Sequence, residues 1–112
     1  MAELTAELQE KVQKLSMIEQ QMTSFLSQKQ TFQAQLMEID SALEALEKTD
    51  KAYRIIGNVM VASDKPALKV DLMHKRETAE LRLKSLENQE EKLRSKATEL
   101  QNEVFNRMQK KQ

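Results

Sequence analysis

The sequence predicts a mostly α protein: a long antiparallel coiled-coil helical hairpin with one central β-hairpin whose strands assemble with those of other chains. Three observations predict it. Apolar residues recur at alternating spacings of three and four along both flanks of the chain, the repeat of a coiled-coil seam. The one glycine and the one proline of the 112 residues both fall in the middle, Gly57 and Pro66, so the flanks are free of breakers. Between the flanks, Tyr53-Arg54-Ile55-Ile56-Gly57-Asn58-Val59-Met60-Val61-Ala62 reads as two apolar runs around a Gly-Asn turn. By length the chain is a single domain, residues 1–112.

The first helix is assigned to residues 1–50. Leu4, Leu8, Leu15, Ile18, Met22, Phe25, Phe32, Leu36, Ile39, Leu43 and Leu46 fill eleven of thirteen seam positions, and Lys11 and Lys29 fill the other two. A lysine in a seam either sets register or extends its ammonium out to water, and both readings stand. At 1.5 Å per residue the helix would run roughly 70 Å. Glu3, Glu7 and Glu10 suit its positive end, and the turn-favouring pair Thr49-Asp50 should close it.

The β-hairpin occupies residues 53–62, with strands 53–56 and 59–62. Gly57 sits where a two-residue turn needs a positive φ. With that turn Ile56 faces Val59, Ile55 faces Met60 and Arg54 faces Val61. Side chains alternate faces along a strand, so both faces are apolar. A lone two-stranded hairpin is marginal in water, and its edges carry unpaired N–H and C=O groups. Two helices occupied with each other leave little surface to cover it. Assembly of hairpins from several chains into one sheet or barrel therefore fits better than folding back on the chain's own helices.

The second helix is assigned to residues 65–112. Pro66 is tolerated only in a first turn, which makes Ser63 or Asp64 the N-cap. Its seam runs through Leu72, Ala79, Leu83, Leu86, Leu93, Ala97, Leu100 and Val104, with Arg76, Glu90 and Arg107 as polar members. Arg107, Lys110 and Lys111 suit its negative end. Helices of near-equal length around a short reversal pack antiparallel, bringing residues 1–20 beside residues 95–112. Gly57 and Pro66 argue against a parallel dimer of one interrupted coil.

Composition narrows function. Eighteen basic and eighteen acidic residues cancel, which argues against a nucleic-acid binder. There is no cysteine for a disulfide or thiolate site, no signal peptide is visible, and no apolar run approaches membrane-spanning length. A cytoplasmic protein is expected. His74 is the only histidine and reads as a solvated helix residue, and no Gly-rich phosphate loop is present. No catalytic residues, metal or cofactor are therefore expected, and the chain does not read as an enzyme. Glu87, Glu90, Glu91 and Glu99 lie among Lys84, Lys92, Arg94 and Lys96, which reads as surface charge pairing. At the open end of the helix pair, Leu4, Leu8 and Val12 would face Leu100, Val104, Phe105 and Met108. Val12, Phe105 and Met108 lie off the seam and widen its apolar stripe; Phe105 and Met108 read as an exposed, adaptable surface, whereas the seam residues Leu8, Leu100 and Val104 read better as core packing.

Helix, apolar hairpin with Gly at its turn, helix: this order resembles prefoldin, specifically the class β subunit of the archaeal type. The hairpin residues 53–61 carry the most specific part of the resemblance. Gln28-Lys29-Gln30-Thr31 through Ala42-Leu43-Glu44-Ala45-Leu46 is similar to the family's first helix, and Leu86-Glu87-Asn88-Gln89-Glu90-Glu91-Lys92-Leu93 with Glu99-Leu100-Gln101 to its second. Pro66 is a departure from the family pattern. The resemblance implies a heterohexamer of two α and four β subunits, in which the hairpins build an intersubunit β-barrel platform. It implies ATP-independent capture of non-native proteins at the coiled-coil tips and their delivery to a group II chaperonin. Carried over by position, Tyr53, Ile55, Ile56, Val59 and Val61 would form the platform. Leu4, Leu8, Val12, Leu100, Val104, Phe105 and Met108 would hold clients. The competing class is a structural coiled-coil adaptor for one defined partner, which needs no two-faced hairpin; a tubulin-cofactor-like helical bundle is weakened by the same feature.

Overall fold

A computed structural model of the chain describes residues 5–110. Four elements follow one another: α1 (Ala6–Glu47), β1 (Ala52–Ile56), β2 (Val59–Ser63) and α2 (Lys65–Lys110). Leu4 and Glu3 lie outside the described residues, as do Lys111 and the side chain of Lys110.

Helix α1 opens at Ala6, with Thr5 as its cap. The Thr5 hydroxyl accepts a bond from the Leu8 amide at 3.1 Å, satisfying one of the donors that a helix start leaves unpaired. The helix closes at Glu47, two residues before the expected Thr49. There the Lys48 amide bonds the Ala45 carbonyl at 3.1 Å, tightening the last turn, and the Thr49 hydroxyl accepts from the Lys51 amide at 3.2 Å. Only Asp64 separates β2 from α2, so it takes the capping position, while Ser63 belongs to the strand. Pro66 then lies in the first turn, where its missing N–H removes no helical bond.

The described residues fall into two packing units, 5–29 with 85–110 and Gln30–Lys84. In the first, cross-helix ion pairs join Glu7 to Arg107, Lys11 to Glu103 and Lys29 to Glu90. In the second they join Asp40 to Arg76 and Glu47 to Lys69. Within each unit the number falls on one helix as it rises on the other, so the helices run antiparallel. Burial follows the heptad. Every described seam position of α1 is buried or half-buried, and on α2 only Arg76 among the seam residues is exposed. Leu8, Ile18, Leu46, Ala79, Leu86 and Leu100 are the buried apolar residues of the seams.

The two strands form a two-stranded antiparallel sheet with the predicted register, Ile56 opposite Val59, Ile55 opposite Met60 and Arg54 opposite Val61. Each strand is one residue longer than expected because Ala52 pairs with Ser63. Gly57 takes φ +62° while Asn58 stays at negative φ, an arrangement of the type II′ turn, which requires Gly first.

Candidate functional site

The alternation of the strands gives the hairpin two faces. Tyr53, Ile55, Met60 and Ala62 share one; Ala52, Arg54, Ile56, Val59, Val61 and Ser63 share the other. Neither is covered. Tyr53, Ile55, Ile56, Val59, Met60 and Val61 are all between 43% and 72% exposed. The outer edges of both strands are unpaired, since each has only the other as a neighbour. The exceptions sit at the base of the second face: Ala52 is buried, and Arg54 and Ser63 are half-buried. All five residues expected to form a platform are thus brought together on one exposed hairpin. Met60 belongs with them; its place opposite Ile55 was legible from the turn.

The residues expected to hold clients separate into two groups. Leu8 and Leu100 are only 3% and 8% exposed and lie inside the seam, so they are core residues and not part of a surface. Their heptad positions turn them toward the opposing helix. Val104 is half-buried. Val12, Phe105 and Met108 are exposed, and Val12 and Phe105 each directly follow a seam residue, Lys11 and Val104. Leu4 lies outside the described residues.

Glu90 is where the surface reading of the charges fails. It is a buried seam residue, and its Oε1 accepts a 2.8 Å bond from the Lys29 ammonium, with Arg94 Nη2 3.5 Å away. The Lys29 and Glu90 side chains are 18% and 12% exposed, so Lys29 does not reach out to water. The Lys29 bond holds the Glu90 carboxyl below its ordinary value against the opposing effect of burial, with the charges of Lys29 and Arg94 adding to it. Lys11 is likewise paired, to Glu103 at 3.1 Å. Arg107 Nη1 lies 3.0 Å from Glu7, whose carboxyl it lowers by hydrogen bond and charge; Lys69 does the same for Glu47. Apart from Arg94, four residues from Glu90 on the same helix, these partners lie on separate helices, and nothing in the sequence spacing alone marks them.

His74 is exposed on α2 and borders a groove with Phe32, Ile39 and Arg82, whose guanidinium lies 5.9 Å from the centre of the Phe32 ring. Among the described residues no cluster of His, Cys, Asp or Glu could hold a metal ion, and no helix is long and apolar enough to cross a membrane.

A coiled-coil helical hairpin carrying an open, two-faced sheet defines the class. The chain belongs to the prefoldin subunit family, whose sequence profile matches residues 9–111. Within that family its similarity is to beta subunits. Prefoldin subunit beta of Archaeoglobus fulgidus is 36% identical over 95% of this chain and 94% of its own. That of Thermococcus onnurineus is 35% identical over 93% and 92%. The crystal structure of the prefoldin beta subunit from Thermococcus strain KS-1 matches with a TM-score of 0.86 at 32% identity, covering 95% of this chain and 96% of that one.

Proposed function

We propose that the chain is one subunit of an ATP-independent chaperone, built into a hetero-oligomer through its hairpin and holding non-native proteins on exposed apolar side chains of its helices. The observation that carries this is the uncovered hairpin. Six large apolar side chains on two faces, with both edges unpaired, have no cover among the described residues. A sheet in that state is stabilised by neighbouring strands on its edges and apolar surface on its faces. Membership of the prefoldin subunit family supports the arrangement in which the neighbours are the other subunits of a hexamer of two class α and four class β chains, this chain being one of the four, closing a β-barrel platform. Tyr53, Ile55, Ile56, Val59, Met60 and Val61 then form the contacts between subunits.

Capture falls to Val12, Phe105 and Met108, in the unit that holds the helix segments farthest from the hairpin in sequence. Each patch is small and binds weakly. Several patches on one platform act on one unfolded chain at high effective concentration, so avidity replaces individual affinity. Weak single contacts also permit release, contact by contact, to a group II chaperonin without nucleotide hydrolysis. The setting is the cytoplasm.

The test is the absolute mass of the complex isolated through this chain from its own cells, measured by light scattering after size exclusion. A heterohexamer containing a longer related subunit is expected, and it should suppress client aggregation without ATP. A monomer or simple dimer refutes the proposal. Ile55→Asp places a charge among the covered apolar faces and should abolish the assembly while leaving the helices folded.

A further inference from the structure

The hairpin is joined to the helices at both ends, to α1 through residues 48–51 and to α2 through Asp64 alone. Apart from the buried Ala52 and the half-buried Arg54 and Ser63, its described residues are exposed, so packing alone grips it only at the base of one face. A two-stranded ribbon packed only at its base is free to swing about residues 48–51 and the Asp64 link. Arg54 spans that link. Its Nε donates to the Ser63 hydroxyl at 3.3 Å on the strand side, and its Nη1 lies 3.4 Å from Asp71 Oδ2 on the helix side. Lys75, one turn further along α2, also reaches Asp71, at 3.6 Å. Arg54 starts from β1, touches β2 and ends on α2, tying three elements with one rigid guanidinium fork.

We infer that Arg54 is a positioning residue for assembly: clamped between Ser63 and Asp71, it fixes the angle of the hairpin to α2 so that the exposed faces meet neighbouring subunits without first being ordered. The inference rests on the proposal that the hairpin is the assembly surface. Association loses free energy to every mobile element it must immobilise, and fixing that element beforehand removes the loss. Arg54 shares its face with Ile56, Val59 and Val61, so neighbours that cover those residues also shield the pair from water. A pair that contributes little while exposed then contributes more within the assembly than in the free chain.

The test uses the full chain in its assembly, with Arg54→Met, Asp71→Asn and the exchange R54D/D71R. Two quantities are read. One is the protein concentration at which the assembly half-dissociates. The other is the fluorescence anisotropy of Tyr53 in the unassembled chain, where it is the single tyrosine and no tryptophan competes. Arg54→Met and Asp71→Asn should each raise the half-dissociation concentration about tenfold and lower the Tyr53 anisotropy. Helix melting should be unchanged, and the exchange should move both readouts back toward the parent. An unchanged half-dissociation concentration in Arg54→Met overturns the inference, as does a rise that Asp71→Asn does not share. Failure of the parent chain to assemble refutes the assembly proposal, whereas the anisotropy still reports on the clamp.

Discussion

Replacing Phe105 and Met108 together by serine should separate the proposed capture of clients from folding. The two side chains are 59% and 55% exposed, so less than half of each is engaged in packing. Fully burying a Phe or Met side chain stabilises by about 1.5–3 kcal/mol, which leaves about 1 kcal/mol or less at stake for each residue here. Leu8 provides the contrast, because it is buried in the seam of the same unit. Its replacement by alanine should cost about 2–3 kcal/mol, the low end of the range for buried leucines, since solvent flanks a two-helix seam. The serine pair should therefore lower the thermal midpoint followed by circular dichroism less than Leu8→Ala does. It should nevertheless reduce suppression of aggregation of a heat-denatured client, followed by light scattering, at unchanged mass of the assembly. Two results would refute the reasoning. A loss of stability as large as that of Leu8→Ala would make Phe105 and Met108 structural, and undiminished suppression would place capture elsewhere.

Lys29→Met strands the Glu90 carboxylate in the seam with Arg94 as its remaining cation, and should lower the melting midpoint more than loss of the exposed Lys48–Glu44 pair. Adding Glu90→Leu should recover that loss; a double variant no more stable than the single would show that the seam does not bury the pair. The carboxyls of Glu90, Glu7 and Glu47 are lowered from an ordinary value of 4.5, so their stabilisation is complete above that value and disappears as pH falls through the lower folded values. The melting midpoint should be insensitive to these groups from neutrality down to about pH 4.5 and fall in stronger acid, less steeply in K29M/E90L; an equal acid slope in that variant would exclude Glu90 as a source. Gly57→Ala meets no atom within 4 Å but forces a side chain to φ +62°, and should destabilise the hairpin by about 1–2 kcal/mol. Assembly at unchanged concentration in that variant would show that the turn is not strained.

Much of the fold was legible because two simple periods govern it. The heptad located the seam of α1 residue by residue, since a helix that packs against one partner exposes everything else. Gly57 located the turn, and the turn determined the register of the sheet. Thr5 was legible as well and overlooked: a threonine just before the periodic residues is a capping signal, and it places the helix start. What could not be read were relations across the helix pair. Lys29 and Glu90 are 61 residues apart, and their meeting depends on the stagger of two helices, which no local pattern contains. Leu8 and Leu100 are different: their seam positions already turned them toward the opposing helix, and only their location near the helix ends suggested a client surface. Arg54 and Asp71 belong to a strand and a helix, and their contact depends on the angle between those elements. The exposure of Val12, Phe105 and Met108 was legible from their places off the seam.

Among the described residues no side chain is fully enclosed, because a seam between two helices has no interior away from water. This has a consequence for how such a chain changes over evolutionary time. Strict packing demands fall on about two positions in seven along each helix, and the rest must only stay helical and hydrated. The outward faces can accept substitution at little cost to packing, while the seam and the Gly57 turn hold the shape. A chain only 32% identical to the Thermococcus strain KS-1 subunit can therefore share its fold at a TM-score of 0.86. The same freedom leaves the exposed apolar positions open to variation, so a surface built on them can diversify without the scaffold being rebuilt.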